Sequence, residues 1–526
     1  MVDFKQIFDY ILTLNKFDFA KILIVTAVCL VVPTLYLYRK RASRLNRSSV
    51  IPKQTIIIHE RTTTVINYEA EPSTDKNENI DISSYGGFIP YLRKLHADQG
   101  VCVSSKLPYP NTISVIDPMI IKATLPVGDR PVYLFKFLEP FLGEDNLQVY
   151  NADRAARFRK LVAPSLGNEV IVAKYKSIRD FGIKMIKKWE KLVKDNKDHV
   201  FKMQEENLEF SMRATLNVVL SIDTEDLDIS TYKRSYDIVL SGLFDKQFGI
   251  LDFPREEQFQ QSLEVLKGWS CNFIDQRRKK AAGTNEEKTG AKDLLDILVS
   301  NNEPETEKPY SDESITCIIS GYIMAGFHTT GVAIPYTILA LTQNPDVQTK
   351  LQEEIDKILE GRLPNLDELS KMEYLTQVVK ESLRVHPPGA FCARLLKSET
   401  LLPTLVESKS FTVPADTTII YPIPLFHENP DYFPEPEKFD PTRFSYNKIK
   451  DFTPNTYCPF GFGARKCPAE RISMVEIKMM ICLIMQKFNV ELAMKLEDVV
   501  KEERFVVMAK NDIIVKLVPR ERVNME

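Results

Sequence analysis

A thiol at the start of a helix, with cations just before it, is poised to ionise, and Phe460-Gly-Phe-Gly-Ala-Arg-Lys-Cys-Pro-Ala469 gives Cys467 that setting. Pro468 is a good first helical residue. Ile472, Val475, Met479 and Leu483 then recur at helical spacing. The helix dipole, Arg465 and Lys466 are therefore expected to lower the Cys467 pKa. Gly461 and Gly463 allow turns that side chains forbid and let a flat cofactor approach. The plain alternative is a buried structural cysteine. A dinucleotide loop is excluded, because Lys466 occupies the third glycine position and no strand leads in.

Two further segments carry chemistry-bearing residues. Glu381 and Arg384 are neighbours on a helix whose apolar stripe is Met372, Leu375, Val379 and Leu383. Taken alone, such a pair is a solvated salt bridge of small effect. Ser311, with Asp312 and Glu313 behind it, caps a long helix running through Ala325-Gly-Phe-His-Thr-Thr330 toward Asn344. Gly326, Thr329 and Thr330 disfavour that helix locally, and Pro335 leaves the Gly331 carbonyl without its donor. A flat group beside the helix is one cause of such disruption, and an ordinary kinked core helix is the other.

The rest of the chain must position these residues. With 44% hydrophobic and 27% charged residues it is a folded globular protein. A net charge of −3 gives no basic field, which excludes nucleic acid as a partner. Eight cysteines without CxxC spacing and six scattered histidines make neither a disulfide framework nor a zinc site. Ile22–Tyr38 is an uncharged apolar run that spans about 25 Å as a helix. Arg39, Lys40, Arg41, Arg44 and Arg47 follow it, whereas the lysines before it are interspersed with Asp3, Asp9 and Asp18. That bias predicts a single-pass anchor at 22–38, a short lumenal N-terminus at 1–21 and a cytosolic C-terminal side. Residues 39–84 read as a linker with one short strand at Thr55–Ile58. From Tyr85 the pattern is mostly α, with a minor β part near Phe411–Val413 and Thr418–Tyr421.

The cysteine loop resembles that of the cytochrome P-450 superfamily, Phe-x-x-Gly-x-Arg-x-Cys-x-Gly, with Phe460, Gly463, Arg465 and Cys467 matching and Ala469 replacing the last glycine. Glu476 falls at a family position too. Glu381-Ser-Leu-Arg384, His386-Pro-Pro388, Arg394 and Phe439-Asp-Pro-Thr-Arg-Phe444 follow the family's order of motifs, and Ala325-Gly-Phe-His-Thr-Thr330 is similar to its oxygen-pocket segment. The resemblance implies the P-450 fold over 85–526, haem b with Cys467 as axial iron ligand, and Phe460 in the haem-binding loop. It implies haem-propionate contacts from Arg159, Arg394 and Arg465, and a buried bracing cluster of Glu381, Arg384 and Arg443. The catalytic candidates are Thr329, which matches the oxygen-binding threonine, and His328, which stands where the family has a carboxylate. Ala155 replaces a usual tryptophan, and the linker lacks the usual Pro-rich hinge.

The resemblance further implies a monooxygenase that inserts one atom of O2 into an apolar small molecule such as a lipid, sterol or xenobiotic. Electrons would come from an NADPH-dependent flavoprotein reductase at the endoplasmic reticulum membrane. Arg465, Lys466, Arg471 and Lys478 are a candidate docking face for it. Residues 109–137, 207–248 and 388–391 are expected to line the pocket. The alternatives are a haem-thiolate isomerase or dehydratase acting without a reductase, and a catalytically weak haem-binding membrane protein.

Overall fold

The computed structural model describes residues 82–521, apart from 101, 104–106, 108–110, 145, 147, 248–252, 284–290 and 404–409, together with Thr55–His59 and Thr62–Ile66. The predicted anchor at 22–38 and most of the linker lie outside these residues. The expected strand at Thr55–Ile58 is present as Thr55–His59 (β1), and it pairs with a second strand, Thr62–Ile66 (β2), that the linker reading did not include.

The fold is mostly helical with a small sheet part. Its longer helices are Phe88–Gln99 (α1), Ala152–Val162 (α2), Asn168–Asp195 (α3), Met203–Leu220 (α4), Ile229–Gln247 (α5), Phe253–Gly283 (α6), Leu294–Ser300 (α7), Asp312–Gln343 (α8), Pro345–Leu359 (α9), Glu373–Val385 (α10) and Glu470–Lys487 (α11). Helix α8 organises the rest. Ser311 caps it by accepting from the Ser314 N–H at 3.0 Å, and Asp312 and Glu313 face its positive end. Beyond that turn the helix is apolar on all sides, the mark of a helix surrounded by protein. Its length and apolar character would suit a membrane span, but it is the buried core helix of this domain. Pro335 sits inside it without ending it.

Helix α4 lies along α8, and Gly331 shows how closely. A Cβ there would sit 2.7 Å from Leu208 Cδ2 and 3.1 Å from its Cα, so the axes could not approach with a side chain present. On the other side, α3, α9, α10 and α11 close one core around Trp189, Tyr336, Leu351, Leu375 and Met480. A second core joins α4–α8 through Tyr232, Tyr236, Phe259 and Phe327.

Five strands form the main sheet: Cys102–Val103 (β3), Thr112–Val115 (β4), Gly128–Asp129 (β5), Phe391–Leu396 (β6) and Thr418–Pro422 (β7), in the order β3-β4-β7-β6-β5. Strand β7 runs parallel to β4 and antiparallel to β6, with Ile419 opposite Arg394. Strand β5 sets Asp129 opposite Leu395. The sheet thereby brings residues near 130 beside residues near 394, a proximity that no local pattern encodes.

Candidate active site

The Glu381–Arg384 pair is not solvated: both side chains are essentially inaccessible. Arg384 donates from Nε and Nη2 to the two Glu381 oxygens at 2.8 and 2.9 Å. It also binds the carbonyls of His427, Pro436 and Lys438. Glu381 accepts the Asp440 N–H at 2.9 Å, and Arg443 Nε lies 3.4 Å from the same carboxylate. A buried pair in these surroundings is a cross-brace, because removing either partner strands a charge away from water. The brace leads to the cysteine loop. His427 Nδ1 bonds to the Arg384 carbonyl, so Nε2 is the acceptor that takes the Cys458 N–H at 3.0 Å. Burial pushes the His427 pKa down to about 3, which keeps the ring neutral for that role. The Cys458 carbonyl then accepts the Gly461 N–H at 2.9 Å.

From Gly461 the loop doubles back. Gly461 and Gly463 both take positive φ, +70° and +65°, which a side chain resists. The Cys467 N–H donates to the Phe460 carbonyl at 2.9 Å and the Lys466 N–H to that of Gly463 at 3.0 Å. Helix α11 starts at Glu470 with Ala469 as its cap, so Pro468 lies in a turn before the helix and Cys467 is not the cap. Burial raises the thiol above its ordinary value; the Ala469 N–H and the cations of Arg159 and Lys466 act against this without reversing it. The loop by itself therefore does not lower the thiol as the sequence led one to expect, because desolvation outweighs the Ala469 N–H and the nearby cations. Coordination to a metal would deprotonate it outright.

Cys467 lies on the wall of a cavity of about 350 Å³, together with Phe460, Gly461, Arg465 and Pro468 from the loop and Ala325, Gly326, Thr329 and Thr330 from α8. Each predicted pocket range contributes: Arg130 from the first, Thr215, Val218 and Val219 from the second, Pro388, Gly389 and Phe391 from the third. Charge is distributed unevenly around it. The Arg130 guanidinium donates to the Gln148 side chain and carbonyl. Burial, then the like charges of Arg465, Arg394 and Arg159, bring its pKa down to about 10. Asp129 partners Arg465 at 2.9 Å and Lys397 at 3.2 Å. A ligand carrying two carboxylates would answer this excess of positive charge, and haem b has two propionates. The wall thus fits the group that the resemblance implies, with a thiol on one side and more guanidinium than carboxylate charge at one edge.

Of the residues implied to bind haem, Arg159, Phe460, Arg465 and Cys467 line the cavity. Arg394 is not on the wall; its guanidinium binds the carbonyls of Ala393 and Phe462. Arg130 was missed by the sequence reading, since a single arginine between Asp129 and Pro131 carries no periodic or motif signal. Ala155 lines the cavity where a tryptophan was expected. Thr329 faces the cavity and donates to the Ala325 carbonyl at 2.8 Å. His328 does not line it: its ring turns to α5, with Nε2 3.5 Å from Asp237 Oδ1, and packs on Phe327 and Phe505. The proposed docking face also loses members, because Lys478 is buried and the Arg465 side chain is only 12% exposed, leaving Lys466 and Arg471 accessible.

The family model described as cytochrome P-450 matches residues 83–517. Leukotriene-B4 omega-hydroxylase 3 of Mus musculus is 26% identical over 389 residues, 70% of this chain and 73% of that protein. Cyclooctat-9-en-7-ol 5-monooxygenase of Streptomyces melanosporofaciens is 28% identical over 53% of this chain and 59% of its own length. Cytochrome P-450 3A40 of Oryzias latipes is 28% identical over 78% of this chain and 83% of its own.

Proposed function

This chain belongs to the cytochrome P-450 family, a monooxygenase that binds haem b through a cysteine thiolate and uses a redox partner and O2, and on that premise we propose that it is a membrane-anchored, reductase-dependent enzyme with Cys467 as its iron ligand. The observation that carries the reading is Cys467 on the wall of a cavity whose other sides present Thr329 and the guanidinium groups of Arg130, Arg159 and Arg465, of which only Arg465 faces a carboxylate, Asp129. When bound, the haem would supply oxygen activation, to which a thiolate ligand contributes electron density.

The chain's own residues have separable tasks in this reading. Arg130, Arg159 and Arg465 would hold the two propionates. Phe460 and Gly461 would set the loop against the haem, and the Glu381–Arg384–Arg443 brace keeps the loop in place. Thr329 exchanges its bond to the Ala325 carbonyl for one to the oxygen side of the site, where its hydroxyl hands on a proton. His328, one residue before, stands in place of the missing carboxylate as the proton donor in this reading, which requires its ring to leave Asp237. Val218, Val219, Phe391 and Ile423 exclude water and favour an apolar substrate. The apolar run at 22–38 anchors the chain in the endoplasmic reticulum membrane with the catalytic domain cytosolic, where an NADPH-dependent flavoprotein reductase supplies electrons.

The test is the absorption spectrum of the reduced protein under carbon monoxide. The wild type should show the far-red Soret band of a thiolate-bound haem, and Cys467→Ala should lose the band or the haem. Cys458→Ala should keep both, because Cys458 contributes its backbone to the loop. An unchanged spectrum in Cys467→Ala would end the reading. NADPH oxidation that depends on added reductase separates a monooxygenase from a haem-thiolate isomerase, which needs neither.

A further inference from the structure

Among the described residues that line the cavity, Glu476 is the only acid, and it is 3% exposed. It sits on α11 six residues past the first helical residue, about 9 Å along the axis from the end of the cysteine loop. Its carboxyl bonds to the neutral Thr330 hydroxyl of α8 and forms no ion pair among the described residues. The charged groups on the surrounding elements are engaged elsewhere. On α11, Arg471 donates to Asn168, Glu470 pairs with Lys466, and Lys478 lies toward Glu354 and Cys482. On α3, Lys176 and Arg179 turn to Asp180; on α4, Arg213 binds Glu209. On α8, His328 faces Asp237, and on α9, Glu354 accepts the Tyr374 and Leu375 N–H groups. On α10, Glu381 and Arg384 bind each other, and the charge acting on Lys380 is that of Glu470. In the cysteine loop Arg465 pairs with Asp129, and the charges acting on the Cys467 thiol are those of Glu470, Arg159 and Lys466, not of Glu476. A desolvated acid without a counter-charge resists ionisation, and any further negative charge nearby adds to that resistance.

We propose that Glu476 makes the reduction potential of this protein pH-dependent, because its buried carboxyl on the cavity wall takes up a proton when the iron held by Cys467 gains an electron. This deepens, and rests on, the reading of the cavity as a haem site. The balance is one electron and one proton: the electron comes from the reductase and reduces the iron, and the proton comes from bulk water and forms an O–H bond on Glu476. Burial brings this carboxyl to about 8, inside the range where such a change is measurable. Across a separation on the order of 10 Å, with an effective dielectric constant of about 20, one unit charge shifts the equilibrium of another by about tenfold. The coupling is reciprocal: an ionised Glu476 opposes reduction by the same factor by which reduction opposes its ionisation. The potential must therefore be highest where Glu476 is neutral and fall as pH rises through its titration. No proton conduit is needed, because an equilibrium potential requires only that the wall exchange with solvent by local opening.

Potentiometric titration of the full-length holoenzyme, followed by its absorption spectrum, tests this without a substrate. Between about pH 7 and about pH 9 the oxidised-to-reduced ratio of the wild type at fixed applied potential should rise severalfold, where tenfold corresponds to about 59 mV for one electron. Glu476→Gln keeps the bond to Thr330 and cannot ionise, so it should hold the low-pH potential of the wild type throughout. Glu476→Asp should retain a fall with pH. Equal pH dependence in the wild type and Glu476→Gln, or a wild-type potential flat over this range, overturns the inference. A second measurement needs no substitution at 476. At about pH 8.5 the reduced-minus-oxidised infrared spectrum of the wild type should gain the C=O band of a protonated carboxyl, and Thr330→Val should raise its frequency. A spectrum without that gain overturns the inference as well. A wild type without the carbon monoxide spectrum of a thiolate-bound haem removes the haem reading itself, whereas a normal spectrum with a potential indifferent to Glu476 removes this inference alone.

Discussion

Glu476 on α11 is a buried acid opposite Thr330 of α8. Burial raises its pKa to about 8 from an ordinary 4.5, and the hydrogen bond with Thr330 only partly opposes this. The unfolded chain therefore gives up this proton near pH 4.5 and the folded chain near pH 8. Between those values the folded state binds more protons, so its stability falls as pH rises. Glu476→Gln keeps the bond to Thr330 and cannot ionise. Its melting temperature should match the wild type near about pH 5 and exceed it increasingly up to about pH 8, by an amount of order a few kcal/mol in stability. Parallel melting curves for the two proteins across that range would mean that Glu476 is ionised in the fold. The same contest between burial and nearby charge decides Cys467, where burial wins, and Asp237, where the bond to His328 and the charge of Lys233 win.

Packing of α4 against α8 sets how far the wall residues Thr215, Val218 and Val219 stand from Thr329. Gly331 is a point of close approach, and the obstacle to a side chain there includes Leu208 Cα, which cannot rotate away. Gly331→Ala should cost about 1–3 kcal/mol despite the better helix propensity of alanine. Gly268 offers the contrast within α6, since a Cβ there meets nothing within 4 Å. Gly268→Ala should be neutral or stabilise by up to about 1 kcal/mol. Denaturant unfolding of both variants checks the pair: equal effects would mean that the α4–α8 approach is not limiting. The α10 brace belongs to this scale as well, because its carbonyl partners lie between His427 and Lys438 and fasten the segment that leads into the cysteine loop.

At the scale of the whole protein, the apolar run at 22–38 and the cations behind it are separate from the catalytic fold in sequence. Helix α8, the described helix of suitable length, is already surrounded by protein and is not free to enter a bilayer. If the N-terminal run is the anchor, a chain lacking residues 1–45 should leave membranes on washing with salt while keeping its haem and its carbon monoxide spectrum. A full-length protein that fractionates as soluble without detergent would refute the anchor. A truncated chain that loses haem would instead show that the N-terminal residues support the fold.

What the sequence determined by itself was local. Side-chain size, backbone freedom and hydrogen bonds over a few residues gave the Ser311 cap, the long helix toward Asn344, the strands near 411 and 418, and the turn at Gly461–Gly463, and these reappear within a few residues in the structure. The motif order around Cys467 gave the family. Where local pattern fell short, the deciding quantity was burial or convergence. Helical spacing alone leaves Glu381 and Arg384 solvated, whereas the family resemblance implied a buried brace, and the carbonyls of a distant segment enclose them. Arg465 and Lys478 look like a surface patch, yet both turn inward. Arg130 and Asp237 have no local signature at all, because β5 brings one to Arg394 and α5 carries the other to His328. Desolvation and long-range charge depend on every neighbour in three dimensions, and those neighbours are chosen by the packing of helices and sheet, so only the tertiary structure could assign them.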